Sequence, residues 1–206
     1  MRQPADAPSP LAQRVPLPAG RPKRRRRPPP QRLLAGFLGT TCALLGCVAL
    51  LRLTEHPWLL PSLGGSCVIL FGMARGVMAQ PRSFLGGHVL ATLVGLACRF
   101  GYVTFGGPIE LWGAAAVGAA LTVMAATRTI HSPAGANPIV VFAEQAGPGF
   151  LLAPLLPGLA VLFAAAYLVN NLPRPWGAGP WPRFREASPR RRAVADSPAI
   201  QGGFRP

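Results

Sequence analysis

Between Leu33 and Leu172 the chain is almost free of charge, and this constrains its fold more than any other feature. Only Arg52, Glu55, Arg75, Arg82, Arg99, Glu110, Arg128 and Glu144 interrupt the block. An apolar stretch of that length has too little polar surface to cover itself in water, whereas a bilayer supplies a matching solvent. The net charge of +15 points elsewhere at first, since a strongly basic chain suggests nucleic acid. Yet half of the residues are hydrophobic and only 13% are charged, and most of the basic ones lie in two terminal segments, densest at Arg24 to Arg27. A nucleic-acid binder would spread its Lys and Arg over a folded face and interleave aromatics. Charge outside an apolar block is the pattern of an integral membrane protein with positive cytoplasmic flanks.

The flanks themselves carry no domain. Residues 1–32 are rich in Pro and Arg without aliphatic periodicity, and residues 173–206 are similar, so both are expected to be disordered cytoplasmic tails around a membrane domain at 33–172. The run opening at Leu33 is too long and too deep in the chain for a secretory signal and reads as a true first span. Cys42, Cys47, Cys67 and Cys98 all fall in apolar runs, with no CxxC and no His spacing for a metal, so no cofactor or metal is expected.

A crossing helix needs ~20 apolar residues. Leu33–Leu53, Phe84–Tyr102, Leu111–Thr127 and Phe150–Val169 meet or approach this. Two shorter runs are interrupted: Trp58–Met73 by Pro61, Gly64 and Gly65, and Pro133–Ala143 by Pro133, Gly135 and Pro138. If both cross, the chain has six spans. Both tails, Arg75, Arg82 and Arg128 then share the cytoplasmic side, while Glu55, Glu110 and Glu144 fall outside. With four spans and two re-entrant loops, Arg75 and Arg82 would lie outside, so six elements fit better.

The two short runs also resemble one another. Gly64-Gly65-Ser66-Cys67-Val68-Ile69-Leu70-Phe71 aligns with Gly135-Ala136-Asn137-Pro138-Ile139-Val140-Val141-Phe142 in residue type. Each follows one long span and precedes another, giving two units of three elements. An odd number of crossings inverts the second unit. The expected fold is therefore an all-α polytopic membrane protein, with about six transmembrane elements in a 3+3 inverted repeat. Two of the six are short and broken by Gly and Pro. Such broken segments at matching positions of two halves mark a transporter's midplane site.

Several separate motifs now come into view: Pro61-Ser62-Leu63-Gly64, then Ala79-Gln80-Pro81-Arg82 with Gly86-Gly87-His88, then Thr127-Arg128-Thr129 with His131 through Pro138. Together, over roughly Leu33 to Leu172, they resemble the HPP family of integral membrane proteins. The resemblance implies a compact membrane bundle, and some of its plant and cyanobacterial members are associated with nitrite transport. The family's His-Pro-Pro tripeptide here reads His131-Ser132-Pro133, which restores a backbone N–H and adds a hydroxyl.

Half-helices that begin inside the membrane would suit a small anion, because their first N–H groups are unpaired and their dipole ends are positive. Gly64, Gly65 and Ser66 are expected to open one, and Gly135, Ala136 and Asn137 the other. The competing reading is that these small residues serve tight helix packing. His88 and His131 are candidates to donate to the anion or to carry a coupled proton, and Arg128 to attract it at the cytoplasmic mouth. No paired carboxylates, Ser/His/acid set or phosphate loop argues for an enzyme. The expected function is a transporter or channel for a small, nitrite-like anion in the cell (inner) membrane. Its expected partners are the lipid bilayer, the anion and protons as coupling ion. A homo-oligomer is compatible with this reading, and no nucleic acid is expected. The alternatives are a membrane-embedded scaffold or sensor without transport and a neutral-solute channel.

Overall fold

The computed structural model describes residues 27–56 and 59–182. Residues 1–26 and 183–206, which hold most of the tails expected at 1–32 and 173–206, and residues 57–58 lie outside the described residues. Every element among the described residues is helical. Four runs are long and apolar enough to cross a membrane: Pro30–Leu53, Pro81–Phe105, Ile109–Ala126 and Pro148–Asn170.

Helix α1 spans Pro30–Thr54, with proline in its first turn, where the missing N–H costs nothing. It stops at Glu55, in the left-handed conformation. Helix α2 spans Leu60–Cys67 and runs on through a π turn at Val68–Gly72. Helix α3 spans Pro81–Phe105 and ends at Gly106, whose φ of 70° suits glycine. Helix α4 spans Ile109–Ala126. A 3-10 turn, Ser132–Ala136, leads directly into α5, Asn137–Ala143. A second one, Pro148–Leu151, precedes α6, Leu155–Asn170.

Contacts between element ends fix the path. At one end, Asn170 Nδ2 donates to the Leu70 carbonyl, and Arg82 donates to that of Thr127. The end of α2 thus meets the end of α6, and the start of α3 meets the end of α4. At the other end His56 lies 2.5 Å from Glu144 and packs against Phe150, while Tyr102 packs against Phe142. The ends of α1, α3 and α5 therefore share a side with the start of α6. The chain passes between the two ends six times, and its second three-helix unit enters from the end opposite to the first.

The packing follows the repeat. Exchanging α1 with α4, α2 with α5 and α3 with α6 converts the α1–α6 contact into α3–α4, α1–α2 into α4–α5, and α3–α5 into α2–α6, and all six contacts occur. The sides differ in filling. Leu59, Leu63, Leu70, Leu159 and Leu162 form a large aliphatic core around α1, α2 and α6. Ala91, Ala120 and Ala134 join α3, α4 and the turn before α5. Small residues let helices approach where lipid offers no hydrophobic drive to pack them.

Burial runs opposite to that of a water-soluble fold. Leu53 is 83% exposed and Phe105 81%, whereas Ser66, His88, His131 and Asn137 are fully buried. A bilayer around the bundle resolves both observations.

The domain boundaries differ from the expected ones. Helix α1 begins at Pro30, three residues before Leu33. Residues 173–182 belong to the packed structure rather than to a disordered tail. Trp181 is buried and donates from Nε1 to the Ala79 carbonyl at 3.1 Å. Arg75 donates twice to the Ala178 carbonyl, at 2.7 and 3.0 Å. The proline-rich composition hid this strap because its order comes from single side chains, the Trp181 indole, the Arg75 guanidinium and the Asn171 amide, not from periodicity.

Candidate functional site

The N-terminal parts of the two short helical runs meet inside the bundle. Ser62, in the first turn of α2, donates to Asn137 Oδ1 at 2.7 Å and reaches the Pro133 carbonyl at 2.9 Å. A Cβ on Gly65 would stand 3.1 Å from that of Pro133, so the runs touch with little room between them.

Around this crossing lies a polar cluster drawn from α2, α3 and the segment before α5. Ser66 Oγ sits 2.8 Å from His88 Nε2 and 2.9 Å from His131 Nε2. His131 Nδ1 lies 2.9 Å from the Met78 carbonyl. Asn137 Nδ2 lies 3.1 Å from His88 Nδ1 and donates to Thr92 Oγ1 at 2.8 Å. Phe84 packs edge-on against both imidazoles, with ring centroids 5.5 and 5.4 Å away.

The partners fix the imidazole tautomers. The Met78 carbonyl can only accept, so His131 carries its proton on Nδ1, and in the neutral ring Nε2 accepts. Ser66 then accepts from His88 Nε2–H and holds its one hydrogen between two acceptors, His131 Nε2 and the Ser62 carbonyl, each 2.9 Å away. His88 Nδ1, left without a proton, accepts from Asn137. The result is one ordered chain, from the Met78 carbonyl through His131, Ser66, His88 and Asn137 to Thr92 and Ser62. Among the described residues, no buried side-chain N or O lacks a partner.

Depth adds meaning to this order. Met78 lies in the turn between the end of α2 and α3, at the end that carries Arg75, Arg82 and Arg128. Thr92 lies near the middle of α3. The chain thus leads from one rim to the centre of the bundle.

Of the residues expected at the site, Ser66, His88, His131 and Asn137 come together. Gly64, Gly65 and Ser66 do not open a half-helix, because α2 starts a turn earlier, at Leu60. Their register shifts because Pro61 is accommodated in the first turn and moves the helix start ahead of the glycines. Gly135 and Ala136 belong to the 3-10 turn, and a Cβ on Gly135 would meet nothing within 4 Å. Among the described residues, the hydrogen bonds at the crossing are made by side chains. Arg128 is exposed with a φ of 57°, in the turn after α4 and outside the cluster. Ser132 is also exposed and takes no part in it.

Sequence reasoning missed Ser62, Thr92 and the Met78 carbonyl. Thr92 had a signal, because it follows His88 by four residues and so shares its helix face. Ser62 stood within Pro61-Ser62-Leu63-Gly64. A backbone carbonyl has no sequence signal.

Close approach builds the site as much as its polar groups do. A Cβ on Gly87 would lie 2.7 Å from His131 Cβ and 2.8 Å from the Thr129 carbonyl oxygen. The Gly-Gly-His motif therefore seats α3 against the backbone that carries the second histidine.

Comparison with known proteins agrees with this architecture. The family described as HPP, transmembrane region, matches residues 25–177. The chain belongs to the HPP transmembrane family. This HPP chain is similar to two transmembrane proteins of Dictyostelium discoideum. One is 34% identical over 120 residues, covering 56% of this chain and 42% of the relative. The other is 32% identical over 145 residues, covering 68% of this chain and 47% of the relative. The HPP chain thus spans less than half the length of each. No solved structure matches it.

Proposed function

We propose that this HPP protein carries a small anion across the membrane together with a proton, with the His131–Ser66–His88 bridge as the proton-binding element. One observation carries the reading: a single buried hydroxyl joins two imidazoles at the crossing of two short helices.

A proton arriving at His131 Nε2 displaces only the Ser66 hydroxyl hydrogen, which turns to the Ser62 carbonyl, already 2.9 Å away. His131 then donates from both nitrogens, to Met78 and Ser66, and no acceptor is lost. The network can therefore take up a proton by rotating one hydroxyl. An imidazolium in the membrane interior is expensive alone, and so is a bare anion. Their pair is neutral, which favours moving them together. Ser62, Ser66, His88, Thr92, His131 and Asn137 include no carboxylate, so the cluster suits an anion better than a metal cation. The filled crossing corresponds to a closed state, and an anion would enter by replacing bonds to the imidazoles.

The basic residues at the Met78 end support an inside orientation for that end, with both termini cytoplasmic. The family resemblance supports nitrite as the first substrate to try. Proteoliposomes holding a pH-sensitive dye test both halves of the reading. An inward gradient of nitrite, nitrate or formate should produce anion uptake accompanied by lumenal acidification. Ser66→Ala should abolish both. Uptake of none of the three above empty vesicles would remove the anion reading, and uptake without acidification would remove the proton.

A further inference from the structure

We infer that the groove between the first half of α1 and the end of the α2 run is a binding site for one anionic phospholipid, with its headgroup on Arg27 and Arg32. The groove has a volume of about 800 Å³, and no residue of the polar cluster lines it.

Its two ends differ in chemistry. Arg27 and Arg32 line one end, and the remaining wall is mostly aliphatic, aromatic or glycine. Arg32 is at the start of α1, and Thr40, also in the lining, lies eight residues further along. At 1.5 Å per residue the groove runs ~12 Å along the helix, close to one leaflet's share of a ~30 Å hydrocarbon core. An acyl chain has that reach. A soluble anion would have no use for the apolar length, and a neutral lipid no use for the arginines.

The groove exists because side chains are missing from its walls. Gly36 and Gly72 both line it, and a Cβ on either would meet nothing within 4 Å. Phe37 and Val68 stand exposed at its sides, 65% and 67%. Lipid fills such a space better than water, which would find few partners there. Paired guanidiniums at the membrane rim bind phosphate oxygens through several charge-assisted hydrogen bonds.

The test is native mass spectrometry of the full chain, purified in detergent and supplied with equal phosphatidylglycerol and phosphatidylcholine. One retained phosphatidylglycerol per chain is expected, preferred by about 30-fold, the weight of two arginines at a membrane surface. Arg27→Ala with Arg32→Ala should erase the preference while leaving lipid retention measurable. Gly36→Leu, whose Cβ meets nothing within 4 Å, should fill the groove and lose retention of both lipids. Gly118→Leu, on α4, where an added Cβ also meets nothing, should retain phosphatidylglycerol as the parent does. Equal retention of the two lipids by the parent chain would overturn the assignment. So would unchanged retention in Gly36→Leu, or a lipid-free dimer that Gly36→Leu dissociates, which would assign the groove to a second copy. None of these readouts depends on transport.

Discussion

Replacing Ser66 by alanine leaves two buried imidazole nitrogens facing a methyl group. Each orphaned polar group costs about 1–3 kcal/mol in a water-soluble core. Interhelical hydrogen bonds inside membranes average only about 0.6 kcal/mol, because alternative partners are found. The second figure applies here, since Ser66 links different helices. Ser66→Ala should therefore fold, with a loss of about 1–2 kcal/mol in thermal stability, yet show no proton-linked flux, because the bridge has no substitute. Ser132→Pro, which restores the family tripeptide, should behave in the opposite way. Ser132 is exposed in the first turn of its 3-10 segment, and His131 before it has φ −137° and ψ 102°, the extended conformation that a following proline favours. Flux by that variant should stay within about twofold of the parent, since a proline at this position removes no inner hydrogen bond. At this scale the sequence was informative wherever a polar side chain interrupts apolar residues, as at His88, His131 and Asn137. It was silent about Met78, whose contribution is a carbonyl, and about the relay's direction, which depends on what each nitrogen faces.

Helix α3 reaches its neighbours through glycine rather than through interlocking side chains. Gly87→Ala would drive a methyl into the Thr129 carbonyl and His131 Cβ, and Gly95→Ala would set one 2.8 Å from Pro138 Cα. Backbone on the far side cannot yield as a flexible side chain does, so each change should cost about 1–3 kcal/mol. Gly118→Ala on α4 has open space and should be neutral or gain about 0.5 kcal/mol from better helix propensity. Melting curves of the three variants in one detergent should rank them in that order, and equal melting points would show that α3 is not held by close approach. Length and hydropathy made the four long helices legible, and Gly/Pro interruptions marked the two short ones. The start of α2 was misplaced by a turn because glycine was read as the break. Pro61, in the first turn, in fact sets the boundary, and Gly65 serves contact with Pro133 instead.

At the scale of the whole molecule, the folding unit extends beyond its last membrane helix. Trp181 packs against Phe163 with ring centroids 5.3 Å apart, and its donor holds the Ala79 carbonyl. Arg75 grips the same strap from the opposite side of that turn. The turn so clamped includes Met78, whose carbonyl fixes the tautomer of His131. Order in the strap is thereby coupled to the polar centre through a single peptide. Ending the chain after Pro182 keeps every one of these bonds and should leave melting and flux unchanged. Ending it after Leu172 removes a buried indole and the carbonyl that accepts both Arg75 bonds, a loss on the order of 3 kcal/mol, or about 6–12 °C. Flux should fall with it, because a loosened Met78 carbonyl no longer holds the His131 proton on Nδ1. Trp181→Phe largely separates the two effects, since it keeps an aromatic ring beside Phe163, with some loss of buried volume, and deletes the donor to Ala79. It should retain most of the stability and still lose part of the proton-linked flux. A Trp181→Phe chain with full flux and an unaltered ratio of protons to anions would show that the strap supports the fold alone.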